Sequence, residues 1–366
     1  MHSNFRWQTP CSPPSTSPVA QDLAWKPQWT YRPPDSIVSF EWYPYATSHE
    51  PAYFAFIIGI KDHPVQLLDA TDLRIRASYT IQDHQERFIA PHSITFSTDS
   101  TLLYCGIENA IQVFEISQPT KPSKKIQTTP NRSSQQGQKG IISSLCFKPD
   151  QTEILVAGSL NGTVGFYDLT LSDQNKLVKL VKLDQTKGVT KIKFHPQGHL
   201  LYVSSRQSYS ILNVINTRRI NSIDSNVSFK FKLKLKTTTT LHELKSKMIT
   251  TNQKLGFDVD SFGDWVICGT RQGQLECFSA EYDKENEFSL QSFKLTNQPI
   301  GSCLFVPGQN LILTCCGTRK FQSNEFNNSD QEEEQQEQSH QINSPIENES
   351  NKVDDDVWCL HLWRIA

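Results

Sequence analysis

GIISSLCFKPDQTEILVAGSLNGTVGFYDL, residues 140–169, holds three short apolar runs separated by turn residues. Ile142 to Phe147 alternates as a strand does. Lys148-Pro149-Asp150-Gln151 then reads as a turn, because proline fixes φ and aspartate bonds its own backbone. A second strand is predicted from Ile154 to Ala157. It ends at Gly158, and Asn161-Gly162 is a two-residue hairpin signal, since both positions tolerate positive φ. The third strand, Thr163 to Tyr167, runs into Asp168, and LVKLVKL at 177–183 supplies a fourth. The product is a four-stranded antiparallel meander in which Gly158, Asn161 and Gly162 are explained by turn geometry. One such sheet cannot bury both faces alone, so it must stack on neighbours of its own kind.

Those neighbours are present in the 366-residue chain. Anchored on the large residue that closes each first strand, copies fall at Trp42, Phe96, Phe147, Phe194, Val259 and Phe305. Each anchor is followed by a turn: YPYA, STDS, KPDQ, HPQG, DSFG and VPGQ. Second strands are expected to end near Gly59, Gly106, Gly158, Ser204, Gly269 and Cys316. The last third strand, Val357 to Ile365, comes after a long interruption. Anchors are spaced about 46 to 54 residues apart, with one gap of about 65, which is the period of propeller blades with enlarged loops. Helical periodicity is brief and confined to the region of His242 to Met248. The chain therefore reads as all-β, a β-propeller of six recognisable four-stranded blades over residues 37–366.

Two insertions break the period. Residues 225–253 contain KFKLKLK and then TTTT. Residues 321–356 carry Glu332, Glu333, Glu334, Glu337, Asp354, Asp355 and Asp356 and few apolar side chains. This second insert reads as a disordered acidic loop, because it buries too little surface to offset its ordering entropy. Residues 1–36 are rich in Pro and Ser and read as mostly disordered. Trp25, Trp29 and Tyr31 mark a ring-closing strand near residues 23–31, expected to pair with the final strand around Trp358 to Ile365.

Composition excludes several classes. The formal net charge is -2, so no global basic field draws the protein to nucleic acid and any RNA site must be a local patch. Nine cysteines fall mostly inside predicted strands without metal-ligand spacing, as small buried hydrophobes of a reducing compartment do. The longest apolar run, Ala52 to Ile60, is too short to span a bilayer, and the N-terminus lacks the apolar core of a signal peptide. These features predict an intracellular, soluble protein.

Motifs for nucleophilic, phosphate-binding, metal or paired-carboxylate chemistry are missing, so the expectation is a non-catalytic protein without cofactor or bound metal. His92, His195 and His199 lie at blade turns, as turn or packing residues do. Binding candidates are local. Lys230, Lys232, Lys234 and Lys236 alternate with Phe231, Leu233 and Leu235. On a strand the lysines repeat about every 6.6 to 6.8 Å along one face, a scale suited to phosphates. The same lysines equally suit an outer edge strand that avoids pairing with other chains. A second basic area comprises Lys121, Lys124, Lys125, Arg132 and Lys139. It adjoins Gln136 and Gln138 in QGQKG, for which no turn or core requirement is evident in the sequence.

With the repeat placed, several segments carry a resemblance: HPVQLLDATDLRIRASY (63–79), APHSITFS (90–97), QGQKGIIS (136–143), AGSLNGTVGFYDL (157–169), ITTNQKLGFDVD (249–260) and LHLWR (360–364). They resemble the telomerase and Cajal-body WD-repeat family, scaffolds that bind small Cajal-body RNAs, and its fungal relatives linked to pre-mRNA splicing. The Trp-Asp dipeptide is missing from every copy, and only Asp69 and Asp168 keep its aspartate. His92 in PHS stands where the repeat's histidine would be, which implies a hydrogen-bond network across its blade. The resemblance also implies a further blade upstream of Trp42. Either six blades close with the strand near residues 23–31, or an initial segment precedes this sequence and makes seven; the second reading is favoured.

By this resemblance the expected protein is a nuclear scaffold, in Cajal bodies or their equivalent and also in the cytoplasm. Its implied partners are small nuclear or Cajal-body-type RNA, telomerase RNA and their RNP proteins. No membrane or small-molecule partner is implied, and the protein is expected to be monomeric. Two alternatives stay open. One is a splicing factor acting on spliceosomal small nuclear ribonucleoproteins. The other is a general protein-interaction propeller without RNA binding, although the Pro-rich start lacks the coiled-coil helix of a G-protein β subunit.

Overall fold

The computed structural model describes residues 31–364 except 120, 132–133, 135, 172–175, 184–187, 207–212, 218–253, 280–289, 310 and 318–358. Every element assigned among the described residues is a β-strand. The stretch that opened the sequence reading forms β9 (Ile142–Lys148), β10 (Gln151–Ser159), β11 (Thr163–Asp168) and β12 (Leu177–Lys182), hydrogen-bonded in the order β12-β11-β10-β9. Lys148 pairs with Gln151, so Pro149 and Asp150 alone make the first turn, and β10 is longer than predicted. Gly162 has φ 76°, but Ser159 pairs with Thr163, so Leu160, Asn161 and Gly162 make a three-residue turn in place of the two-residue hairpin expected, and Asn161 does not take positive φ.

Five further antiparallel sheets follow, three of four strands and two, the fourth and sixth, of three strands among the described residues where four were expected. The first holds β1 (Ile37–Trp42), β2 (Ala55–Ile60), β3 (Val65–Asp69) and β4 (Ile75–Tyr79). The second holds β5 (Ser93–Phe96), β6 (Leu102–Ile107), β7 (Ala110–Glu115) and β8 (Pro122–Gln127). The fourth comprises β13 (Val189–Phe194), β14 (Leu200–Ser205) and β15 (Asn213–Asn216). The fifth comprises β16 (Phe257–Val259), β17 (Trp265–Gly269), β18 (Gln274–Ser279) and β19 (Leu290–Lys294). The sixth comprises β20 (Ile300–Phe305), β21 (Leu311–Cys316) and β22 (Cys359–Arg364). The chain is a β-propeller, with β1, β5, β9, β13, β16 and β20 as the inner strands, meeting one another in that order. Residues 225–253 and 321–356, and the strand expected near 23–30, lie outside the described residues.

Period-two alternation explains how the sheets stack. On β6, Leu103 and Cys105 pack toward Ile57 and Leu67 of the first sheet, while Tyr104 packs toward Leu145 and Leu155 of the third. On β10, Leu155 and Ala157 face the second sheet and Val156 faces Ile192 and Leu201 of the fourth. Each central strand thus contributes to two cores. Cys105, Cys146, Cys268, Cys277 and Cys303 are free thiols, and Cys105, Cys277, Cys303 and Cys316 are buried among these apolar contacts.

Hydrogen bonds then tie inner strand to inner strand. Ser39 Oγ donates to the Pro91 carbonyl at 2.7 Å, Ser93 Oγ to Ile142 at 2.9 Å and Ser143 Oγ to Val189 at 2.5 Å. So close an approach needs a residue without Cβ on the neighbouring second strand. A Cβ on Gly106 would overlap Ser93 Oγ and lie 2.8 Å from the Ile142 carbonyl; one on Gly158 would lie 2.5 Å from Val189 Cγ1. Gly158 is therefore not a turn residue, as the sequence suggested. It sits inside β10, paired with Val164 and Ser144, and the next sheet requires its small size.

Filling this space is expected to destabilise more than removing the tie. Gly106→Val should cost about 2–4 kcal/mol through overpacking, and Ser93→Ala about 1 kcal/mol through one lost hydrogen bond. Urea unfolding of the two variants checks the order.

Candidate nucleic-acid interface

The basic area of the sequence begins on β8, the outer strand of the second sheet, where Lys124 and Lys125 are exposed. Neighbours on a strand point to opposite sides, so these two lysines do not share one face. Register is held by Gln112, whose Nε2 donates to the Lys124 carbonyl at 2.7 Å. Beyond β8 the chain runs to β9 through the QGQKG segment.

That segment has the core requirement which sequence reasoning did not find. Gln138 is fully buried. Its Nε2 donates to the carbonyls of Ala157 at 2.9 Å and Thr163 at 3.1 Å, and its Oε1 accepts the Tyr167 hydroxyl at 2.8 Å. Gly137 and Gly140 hold φ of 85° and 92°. Asn109 clasps the loop from the second sheet: its Oδ1 accepts the Gly140 amide at 2.7 Å, and its own amide donates to the Gly140 carbonyl at 3.0 Å. Gln138 thus belongs to the interior of the third sheet and not to a contact surface, because all its polar atoms are spent on the blade.

Exposed or half-buried positions remain around it. Gln136 is exposed, and Lys139 is half-buried, with its carbonyl accepting Ser159 Oγ at 2.6 Å. Lys121 is exposed at the start of β8. Arg132 and Lys230, Lys232, Lys234 and Lys236 lie outside the described residues.

The three acid and histidine positions of the repeat fall into two kinds. Asp69 is buried at the end of β3, where it accepts Thr71 N at 2.8 Å, the Thr71 hydroxyl, and Arg76 Nε and Nη2 at 2.9 and 2.6 Å. The Thr71 hydroxyl, with the Thr71 amide and Arg76 adding to it, holds this carboxyl well below the ordinary range against the cost of burial. Asp168 makes the same Asp-x-Thr turn at the end of β11, accepting Thr170 N at 2.9 Å and Thr170 Oγ1 at 2.6 Å. His92 differs. Its ring makes no hydrogen bond to a described residue. Burial first, and then Lys254, lower its pKa.

A charged cluster that sequence reasoning missed lines the axis. Lys191 and Lys193 project from β13. Lys193 Nζ pairs with Asp258 of β16, whose other oxygen accepts the Phe305 amide of β20 at 2.9 Å. Lys191 Nζ donates to the Phe257 carbonyl at 2.9 Å and stands 5.6 Å from the centre of its ring. Lys254 reaches past the fourth sheet to the Ser143 carbonyl at 3.3 Å. Glu41 on β1 interacts with Lys191 and Lys193, although the first and fourth sheets are not neighbours in the series. These groups therefore meet across the central channel.

Channel walls explain the electrostatics. Glu41 is reachable by solvent, yet protein on all sides strips most of its hydration and pushes its carboxyl up to about 7 against the pull of Lys191 and Lys193. Burial lowers Lys191, with Asp258 opposing, and burial followed by Lys191 lowers Lys254. The visible hint in the sequence was Lys191-Ile192-Lys193, alternating on a first strand. Among the described residues no three His, Cys, Asp or Glu are grouped to hold a metal ion.

Comparison with known proteins falls on the same blade. Residues 129–168 match the family described as "WD domain, G-beta repeat". They run from the loop that carries Gln138 through Tyr167 and Asp168, the place where Trp-Asp would stand. The chain carries a WD repeat. This WD-repeat chain is 27% identical over 305 residues to telomerase Cajal body protein 1 of Bos taurus, covering 82% of the chain and 51% of that protein. It is 25% identical over 252 residues to guanine nucleotide-binding protein negative regulator 1 of Schizosaccharomyces pombe, covering 68% and 57%. It is also 25% identical over 179 residues to protein SWT21 of Candida glabrata, covering 48% and 42%. The WD-repeat chain thus spans about half the length of the curated relatives it matches. The resemblance read in the sequence to telomerase and Cajal-body WD-repeat proteins holds along most of its length.

Two outcomes follow from this geometry. Gln138→Leu leaves the Tyr167 hydroxyl and two carbonyls without their partner, and should cost about 2–4 kcal/mol, read as a fall in thermal midpoint. Glu41 has a folded-state pKa above its unfolded value. Its neutral form therefore favours the fold below about pH 4.5, and that contribution is lost as pH rises through about 7. Glu41→Gln should come close to the wild type in thermal melts at pH 4 and exceed it at pH 8.

Proposed function

We propose that this chain is a nuclear, non-catalytic scaffold that binds small Cajal-body-type or telomerase RNA and aids assembly or localisation of the resulting RNP. The observation that carries the reading is similarity over 82% of the chain to a protein named for telomerase and the Cajal body. Charge distribution supports it. Residues 317–358 contain eleven Asp and Glu against three Lys and Arg, a formal -8 in a chain whose total is -2, which leaves +6 on the remainder. The remainder is thus more cationic than the total suggests. Lys121, Lys124, Lys125 and Lys139, joined by Arg132 and the lysines at 230–236, are proposed to hold phosphates. Such contacts add affinity without reading sequence.

The name of the S. pombe relative favours a second reading, in which the propeller binds a guanine-nucleotide-binding protein and not RNA. Crosslinking followed by sequencing of co-purified RNA separates the readings. Enrichment of small Cajal-body or telomerase RNA supports the proposal. Spliceosomal RNA would move it to the splicing machinery, and the absence of any enriched RNA would favour the protein-binding reading.

A variant carrying Lys124→Gln, Lys125→Gln and Lys139→Gln should bind RNA more weakly and lower the slope of log affinity against log salt by about 1–2, since Lys124 and Lys125 face opposite sides of β8. The four substitutions Lys230→Gln, Lys232→Gln, Lys234→Gln and Lys236→Gln are expected to act in the same direction. Filter binding across a salt series reads both, and an unchanged slope removes the corresponding patch.

A further inference from the structure

Of the channel lysines Lys191, Lys193 and Lys254, only Lys193 has a carboxylate partner among the described residues. It pairs with Asp258, whose other oxygen is taken by the Phe305 amide. Lys191 and Lys254 meet backbone carbonyls instead, of Phe257 at 2.9 Å and of Ser143 at 3.3 Å. A carbonyl accepts one of the three ammonium protons and leaves the charge uncompensated. Each of these two lysines therefore keeps donors for an acceptor that no described residue supplies.

Their place along the axis separates them from the acids. The inner strands begin at one end of the channel, since Ser93 and Ser143 near the start of β5 and β9 bond Ile142 and Val189 at the start of the next inner strand. Lys254 stands just before β16 and His92 just before β5, whereas Glu41, Lys193 and Asp258 lie toward the far ends of β1, β13 and β16. Lys254 acts on both Lys191 and His92, although the second and fifth sheets are not neighbours, so these groups face one another at that end. His92 is half-buried and Lys254 is open to solvent. Lys191 is held in place by the Phe257 carbonyl and ring. The acids that act on this group are Glu108 on His92, and Asp258 and Glu41 on Lys191. Asp258 is committed to Lys193, and Glu41, raised to about 7, is only partly charged at neutral pH. Burial pushes the nearby Cys303 thiol up to about 12, which keeps it neutral.

We propose that Lys191, Lys254 and His92 form a binding site for a phosphate group at the end of the axial channel where the inner strands begin. The three side chains come from different sheets, so they suit a tetrahedral anion with oxygens in several directions better than a planar carboxylate. A phosphate monoester carries a charge of about -1.5 to -2 near pH 7, which answers two uncompensated ammonium groups. Channel walls of low dielectric strengthen such contacts, and the anion relieves the repulsion between Lys191 and Lys254. This site is distinct from the lysines of β8 and its following loop and does not rest on the RNA reading. A free phosphate compound and the terminal phosphate of a nucleic-acid strand present the same group to it.

Isothermal titration of inorganic phosphate and of pyrophosphate into the full chain, at constant ionic strength in potassium chloride, tests this. One saturable site is expected. Lys254→Gln should weaken it about tenfold or more, Lys254→Arg should restore it in part, and Lys61→Gln, at an exposed lysine, should leave it unchanged. A second measurement needs no lysine variant: the imidazole resonances of His92, assigned with His92→Gln, should shift as phosphate is added to the wild type. No saturable binding of either anion, equal affinity in Lys254→Gln, or unmoved His92 resonances overturns the proposal. Competition then identifies the source of the phosphate. Displacement of pyrophosphate by a 5′-phosphorylated trinucleotide and not by its 5′-hydroxyl form assigns the site to strand ends, and displacement by neither assigns it to a free phosphate compound. Equal displacement by both marks general polyanion attraction and overturns the site.

Discussion

Everything in this propeller depends on how closely one inner strand approaches the next. A serine on one sheet donates to a backbone carbonyl on its neighbour, and the strand beside that serine carries glycine where the two sheets nearly touch. Apolar stacking between the sheets is non-directional and tolerates sliding. The hydrogen bond is directional and sets which residue of one sheet faces which residue of the next. On the fourth sheet the device changes, for Lys191 spans to the Phe257 carbonyl and Lys193 to Asp258. Longer side chains bridge there what a serine bridges elsewhere, so the interior of the channel carries charge as a by-product of joining sheets.

The period and the turns were legible in the sequence because both are local. Pro149-Asp150 announces its turn from neighbouring residues alone, Gly162 marks a turn whose length Asn161-Gly162 did not give, and the strands of the third sheet fall close to where alternation puts them. Requirements imposed by another sheet were not legible. Gly158 looked like the end of a strand, and only the position of Val189, thirty-one residues later, shows why it has no side chain. Gln138 looked like a surface residue because glutamine usually is one, and its three partners come from β10 and β11. A histidine in a familiar place suggested a network, and the hydrogen bonds that hold the third blade come from a glutamine.

The candidate binding surface was legible only as composition. Clusters of lysine can be counted along a chain, but whether they converge depends on strand polarity and on loops far apart in sequence. Lys124 and Lys125 are adjacent in the chain and diverge on β8. Lys254 and Ser143 are distant in the chain and meet across the fourth sheet.

Gln138 holds the interior of the third blade together through a primary amide. A primary amide keeps one donor group and one acceptor oxygen at every pH a cell experiences, whereas an imidazole gains a proton near pH 6.5 and loses its acceptor. The bond from Tyr167 to Gln138 therefore has no protonation state in which it fails. Proton sensitivity in this molecule is displaced from the blade interior to the axis, where Glu41 faces the lysines. Acidification can alter the lining of the channel while the blade beside it keeps its hydrogen bonds.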